Sequence, residues 1–199
     1  PESLKEILDS RKFVPVHIHI SEQQKDVEDF QCKYGKRPVK WLLDNLPLDS
    51  RWCLVHSTHM IPEETVKLAN SGAVAGLCPV TEANLGDGIF DGAGYVSSGG
   101  KFGIGTDSNV NVSLSGELRM LEYSQRLILK ERNVMNDTFG SVGKSLYTTA
   151  LKGGLRHYLA ILEALLLDNG LIYLHLILIR LLYTDLQKTK YLIAGYFLE

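Results

Sequence analysis

The chain has 199 residues, a formal net charge of −2 and 45% hydrophobic residues, which is typical of a globular protein with one sizeable core or an incomplete larger one. The near-neutral charge gives no reason to expect nucleic acid or an anionic membrane surface as a partner. Cys32, Cys53 and Cys78 form no CxxC pair and indicate the reduced thiols of a cytoplasmic protein. The charged opening "PESLKEILDSRKF" predicts no signal peptide, and without an initiating Met it indicates an internal piece of a longer protein.

Short apolar segments alternate with helical patterns from Phe13 to about Gly154. We predict strands at 13–20, 52–56, 73–79 and 101–108, and helices at 21–35, 37–47, 61–72 and 115–132. A long glycine-rich loop is predicted at 81–100. Alternation of this kind predicts a parallel sheet with helical crossovers.

Two architectures are compatible with these βα units: half of a (β/α)₈ barrel, and an open doubly wound sheet. We expect residues 1–154 to form this α/β part. Residues 155–199 are rich in Leu and Ile and lack the alternating strand and helix signals of residues 1–154. We therefore expect them to form a separate apolar C-terminal segment, which is either a buried helix or rich in strands. Charged residues interrupt this segment before any stretch reaches the ~20 residues that a membrane helix needs.

Polar side chains stand at the predicted ends of several strands. In "VPVHIHISEQ", His17 and His19 point to the same face of their strand, and Glu22 follows where that strand ends. His56 and Asp107 lie at the tips of two further strands. Together these side chains form a nitrogen and oxygen donor set that suits a catalytic zinc or iron ion, and such an ion supplies hydroxide at neutral pH.

Each of these residues also has a structural interpretation. A single strand-end histidine is more often structural than catalytic. Asp107 or Ser108 could cap the following helix, and Glu22 could sit in the first turn of its own helix, where the dipole favours it. His59 is predicted to be solvated and receives no role.

The segments "HIHISEQ", "CLVHSTH", "GLCPVTEANLGDGIF" and "GIGTDSNV" resemble the amidohydrolase superfamily, and within it the formimidoylglutamate deiminase group of histidine degradation. The resemblance covers roughly Phe13 to Gly154. "CPVTEANLGDGIF" is its more specific part, since guanine deaminase and related enzymes usually carry an Asn-containing variant there. The implied fold is a partial TIM-like (β/α)₈ barrel of the metal-dependent type, here strands five to eight with their helices.

The resemblance also implies roles for these residues. His19 resembles the fifth-strand metal ligand, and Glu22 the proton shuttle after it. His56 resembles the sixth-strand histidine that contacts the attacked centre. Asp107 resembles the eighth-strand aspartate that binds the metal and takes a proton from its water. The implied cofactor is Zn²⁺, with Fe²⁺ as the alternative, and the implied reaction converts the small molecule N-formimino-L-glutamate into N-formyl-L-glutamate and ammonia.

Spacing decides which strand His17 and His19 occupy. A βαβ unit takes about 30 residues or more, so the interval from His19 to Asp107 holds about three crossovers. The first strand is therefore interpreted as the fifth of the barrel, and His17 as an inner, non-ligand residue.

The sequence departs from the family's pattern in two ways. The first four βα units, with their HxH metal ligands and the contacts to the substrate carboxylates, are not in this chain, and residues after Gly154 do not follow the family's β-rich ending. A purine or S-adenosylhomocysteine-type deaminase is the alternative within the superfamily. A non-catalytic remnant is the alternative outside it: exposed sheet edges favour a homo-oligomer or aggregation, and we expect weak zinc binding and no deiminase activity from the chain alone.

Overall fold

A computed structural model of the chain describes residues 15–109, 111–136 and 140–169, with residues 156–169 described as backbone alone. Its centre is a sheet of four parallel strands in sequence order. The strands are β1 (Val16–Ile20), β2 (Trp52–His56), β3 (Val74–Leu77) and β4 (Lys101–Ile104). The predicted parallel sheet with helical crossovers is confirmed.

Helices connect the strands and follow the last one. They are α1 (Gln24–Tyr34), α2 (Pro38–Asn45), α3 (Pro62–Ser71), α4 (Pro79–Leu85), α5 (Gly92–Ser97), α6 (Leu114–Leu129) and α7 (Val142–Asn169). Proline opens α2, α3 and α4, because a residue without an N–H and with a fixed φ suits the first helical turn. Glycine in the left-handed conformation ends α1, α3 and α4.

The prediction of a loop over 81–100 was wrong, since this region contains the end of α4 and all of α5. Its glycine content suggested a loop, but Pro79 begins α4 and Gly86 ends it. The Asp91 side chain accepts a hydrogen bond from the Gly94 N–H at 2.9 Å and caps α5. Local capping therefore outweighs the low helix propensity of this stretch.

The hydrophobic core lies between the sheet and the helices. In β1, Val16, Ile18 and Ile20 pack into this core. His17 and His19 alternate with them and are exposed on the other face. In β2 the core includes Trp52 and Leu54, which are 1% and 0% exposed. This alternation leaves the histidines of β1 on the face of the sheet away from the helical layer.

Helix α7 packs directly on β4. Gly153 of α7 lies so close that a Cβ there would be 2.5 Å from the Phe102 carbonyl carbon and nearer still to its oxygen. At the opposite edge of the sheet, β1 pairs only with β2 in the part of the chain that the structure describes. A cavity of about 330 Å³ borders this edge and is lined by His19 and Glu22 together with Phe30, Trp41 and other apolar side chains.

The proposed division at residue 154 falls inside α7, which continues to Asn169. Residues 170–199, which make up most of the predicted apolar segment, lie outside the described residues. Among the described helices, none combines the length and the apolar character that a membrane crossing requires.

Candidate functional site

The predicted site residues lie at the carboxyl ends of the parallel strands. His19 and Glu22 flank the end of β1, His56 is the last residue of β2, and Asp107 follows β4. The backbone turns sharply here: φ is positive at Ser21 (51°), His56 (66°), Ser57 (52°) and Asp107 (47°). Non-glycine residues adopt this conformation uncommonly, and such residues cluster at functional sites.

Three of the predicted residues are in close contact. The rings of His19 and His56 lie 5.4 Å apart between centroids, tilted by 47°. Glu22 Oε1 lies 3.7 Å from His56 Nε2. The charge of Asp107 acts on both Glu22 and His56 and raises the pKa of each. The structure therefore brings the four side chains to one edge of the sheet.

Sequence reasoning missed Glu82, which lies in α4 beside His56. Its Oε1 is 3.2 Å from His56 Nδ1 and also accepts a hydrogen bond from the Cys78 N–H at 3.1 Å. His56 and Glu82 are 0% and 3% exposed. The available signal was a glutamate in the first turn of a proline-started segment, directly after a strand.

Burial and charge shift the pKa values of two of these groups. Burial raises the pKa of Glu22, and the charges of Asp87, Asp107 and Asp26 raise it further, while His56 partly offsets these effects. Burial lowers the pKa of His56, but the hydrogen bond with Glu82 and the neighbouring carboxylates outweigh burial and raise it overall. A carboxyl group and an imidazole with raised pKa values suit proton transfer near neutral pH.

The loop after α4 is tied to the loops after β1 and β2. Gln23 Nε2 donates to Asp87 Oδ1 at 3.1 Å, and His59 Nε2 lies 2.7 Å from the Asp87 carbonyl oxygen. The prediction that His59 is solvated was therefore wrong, because this half-buried side chain links two loops. These bonds fix the segment that carries Glu22.

The structural alternatives for Glu22 and Asp107 were also wrong. Helix α6 begins after Ser113, whose side chain accepts from the Gly116 N–H at 3.1 Å, so neither Asp107 nor Ser108 caps it. The N-cap of α1 is Gln23, so Glu22 precedes that helix. Both carboxylates lie on connecting segments at the strand ends.

The donor side chains at this edge of the sheet determine whether it can hold a metal ion. Within residues 15–109, 111–136 and 140–155, no three His, Cys, Asp or Glu side chains are grouped closely enough to hold a metal ion. The imidazole of His19 and the carboxylate of Asp107 have the donor chemistry that zinc accepts, but a zinc site usually takes three or four protein ligands. This chain fits such a site as a contributor of part of the ligands.

Comparisons with known proteins identify similar sequences. The sequence pattern of the amidohydrolase family matches residues 1–141. Formimidoylglutamate deiminase of Pseudomonas aeruginosa is 54% identical over 142 residues, which are 71% of this chain and 31% of that protein. The chain thus spans about a third of the length of this relative.

Solved structures show the same fold. An amidohydrolase from Brucella melitensis superposes with a TM-score of 0.77 at 52% identity, over 79% of this chain and 35% of that one. An adenosine deaminase from Xanthomonas campestris, solved with bound zinc, gives a TM-score of 0.69 at 23% identity, over 78% of this chain and 35% of that one.

Proposed function

This chain belongs to the amidohydrolase family, and we propose that it forms part of the active site of a metal-dependent hydrolase that deiminates N-formimino-L-glutamate. One observation carries the proposal: His19, Glu22, His56 and Asp107 meet at the carboxyl edge of the sheet, where barrel enzymes hold their catalytic residues. The 54% identity to the Pseudomonas aeruginosa deiminase supports this substrate. We place β1 to β4 as strands five to eight of a (β/α)₈ barrel.

The side chains of this chain have separate roles in the proposed reaction. Water adds to the formimino carbon, the bond from that carbon to its terminal nitrogen breaks, and ammonia leaves with N-formyl-L-glutamate as the second product. Asp107 accepts a proton from the water, and Glu22 carries a proton to the departing nitrogen. His56, next to Glu22, contacts the formimino group and polarises it.

His19 and Asp107 would hold the metal ion, together with ligands from outside the described residues. When bound, zinc would lower the pKa of a coordinated water towards neutrality. The bound zinc of the Xanthomonas campestris adenosine deaminase supports this choice. Imidazole and carboxylate donors also suit Fe²⁺.

A chimera tests the function. The 142-residue matching segment of the Pseudomonas aeruginosa enzyme is replaced by its counterpart from this chain, and ammonia release is measured with N-formimino-L-glutamate and with adenosine. We expect turnover of the first substrate only. Turnover of adenosine in its place would favour the purine deaminase alternative, and a folded, zinc-loaded chimera inactive on both would contradict the proposal.

Single variants of the chimera test the roles. Glu22→Gln removes the proton carrier and should lower kcat by about 10²–10⁴-fold, the usual contribution of general acid–base catalysis. Glu28→Gln in the exposed face of α1 makes the same chemical change away from the site and should leave kcat unchanged. Equal activity of the two variants would remove Glu22 from the mechanism.

The isolated chain gives a second test. Because the described residues supply only part of a ligand set, we expect weak zinc binding by titration calorimetry and no ammonia release from the 199-residue chain. Tight stoichiometric zinc with turnover would show that this chain forms the complete site alone.

A further inference from the structure

His56 lies between two carboxylates, one at each ring nitrogen. Nδ1 is 3.2 Å from Glu82 Oε1, within hydrogen-bond distance. Nε2 is 3.7 Å from Glu22 Oε1, beyond that distance, and it has no hydrogen-bond partner among the described residues. The two nitrogens of one buried ring therefore differ: one is held and one is available.

The position of Glu82 is fixed by its helix. Glu82 is 3% exposed, and its Oε1 accepts from the N–H of Cys78, the N-cap residue of α4, at 3.1 Å. This contact satisfies one of the free N–H groups at the start of the helix. The carboxylate cannot turn away from His56 without breaking the helix cap.

The ring of His56 is fixed as well. His56 pairs with Ile20 in the sheet register, and its φ of 66° is held by the next residue, because the Ser57 N–H donates to the Ile20 carbonyl at 3.0 Å. With 0% exposure, the imidazole is enclosed by protein atoms, and its Nδ1 faces Glu82.

An ionised carboxylate accepts hydrogen bonds and has no hydrogen to donate, so the ring nitrogen facing it must carry the hydrogen. We propose that Glu82 is a positioning residue that keeps the hydrogen of neutral His56 on Nδ1, so that Nε2 presents its lone pair at the strand edge. This inference deepens the proposed function and rests on it for its catalytic meaning.

The consequence concerns how His56 polarises the substrate. With Nδ1–H committed to Glu82, neutral His56 presents a lone pair at Nε2 and can only accept a proton there. It donates a hydrogen bond to the formimino group only as the imidazolium, with a second proton on Nε2. The charged or titratable groups facing it are Glu82 from α4, Glu22 and His19 from the end of β1, and Asp107 after β4.

The tautomer can be measured directly, without metal or substrate. Long-range ¹H–¹⁵N correlation spectra of the labelled 199-residue chain distinguish a protonated from a bare ring nitrogen, and the His56→Gln variant identifies the His56 signals. At a pH where His56 is neutral, we expect a protonated Nδ1 and a bare Nε2. A neutral His56 with its hydrogen on Nε2 would overturn the proposal.

Variants of Glu82 test whether its side chain sets the tautomer of His56. Glu82→Met removes the acceptor and should shift His56 towards the Nε2–H form, whereas Glu82→Gln keeps a carbonyl oxygen as acceptor and should retain the Nδ1–H form. Glu117→Met is the matched control. This 0% exposed carboxylate accepts from the Val80 N–H in the first turn of α4 and not from His56, so the tautomer should not change.

The outcomes remain informative if one variant is unstable. Amide spectra first establish that each variant is folded, and if Glu82→Met is not, the parent chain and Glu82→Gln still decide the tautomer. An Nδ1–H form that persists in folded Glu82→Met would show that Glu82 does not set it. The tautomer measurement needs no turnover. A chimera without deiminase activity would therefore contradict the proposed function without deciding the tautomer of His56, and the reverse also holds.

Discussion

A methyl group added at Gly153 should separate α7 from β4. The ideal Cβ would lie 2.5 Å from the Phe102 carbonyl carbon and 3.2 Å from the Gly103 nitrogen. Cβ atoms in real structures essentially never approach another heavy atom within 3.0 Å. Both obstructing groups belong to the backbone of β4, so a side-chain rotation cannot relieve the clash, and the helix must move away from the strand that leads to Asp107.

Two opposing contributions set the change in unfolding free energy of Gly153→Ala. Overpacking of this kind costs typically 1–3 kcal/mol, and occasionally more. Replacing glycine by alanine inside a helix stabilises the helix by about 1 kcal/mol, because alanine has the higher helix propensity. Since the contact requires movement of a whole helix, we place the overpacking cost of Gly153→Ala at the upper end, about 3 kcal/mol, and expect a net loss of about 2 kcal/mol in the free energy of unfolding.

Gly154 provides the control on the same helix. A Cβ there meets nothing within 4 Å, so Gly154→Ala should gain about 0.5–1 kcal/mol from propensity alone. Urea unfolding followed by circular dichroism measures both variants against the parent. The two variants should differ by about 2.5–3 kcal/mol in the free energy of unfolding, and a Gly153→Ala variant as stable as Gly154→Ala would refute the close packing of α7 on β4.

Three further measurements test other parts of the structure. Glu64→Ala removes a 3% exposed carboxylate that accepts from Arg37 Nε at 3.1 Å and from the N–H groups of Lys40 and Ile61, and it should cost about 1–3 kcal/mol in unfolding free energy. By contrast, Glu63→Ala on the exposed face of α3 should stay within about 0.5 kcal/mol. Cys32 is exposed and the other two thiols are buried with pKa values raised by burial to about 11 and about 12, so one thiol should react rapidly with iodoacetamide and Cys32→Ser should abolish that reaction. Because the folded pKa of Glu22 is raised, the stability it contributes is full below its unfolded pKa and is lost as pH rises through the folded value. Glu22→Gln should therefore melt at the same temperature as the parent near pH 4 and at a higher one near pH ~7.5; a gap that narrows with rising pH would contradict the shift.

The strands and most helices could be predicted because local signals agree with the fold. Residues 52–56 form a short, mostly apolar run that ends before a turn, and the strand occupies these residues as predicted. Pro62 and Gly72 bound α3 as the capping rules require. The segment 81–100 failed because its helices are short and depend on caps from Glu82 and Asp91, which composition does not reveal.

The residues of the candidate site were likewise predictable only in part. Parallel strands end at one edge, so His19, His56 and Asp107 could be placed together from strand order alone. Glu82 could not, because its contact with His56 joins residues 26 positions apart through a helix that was predicted as a loop. The tie between Asp87 and His59 is likewise a loop-to-loop contact across 28 positions, without a periodic pattern to indicate it.

Unsatisfied polar atoms mark this edge as the part of the fold that stability alone does not explain. Seven buried side-chain polar atoms in the described residues have no hydrogen-bond partner. Five of them, in Ser21, His56, Ser57, Thr58 and Asp87, belong to the end of β2 or to the loops after β1, β2 and α4. Each such atom costs on the order of 1–3 kcal/mol, so a sequence selected for stability alone would not gather them beside residues with left-handed backbone. Local rules fail where proteins carry function. Here four of the non-glycine residues with left-handed backbone, four of the seven unsatisfied atoms and the shifted pKa values of Glu22 and His56 lie at the ends of β1, β2 and β4.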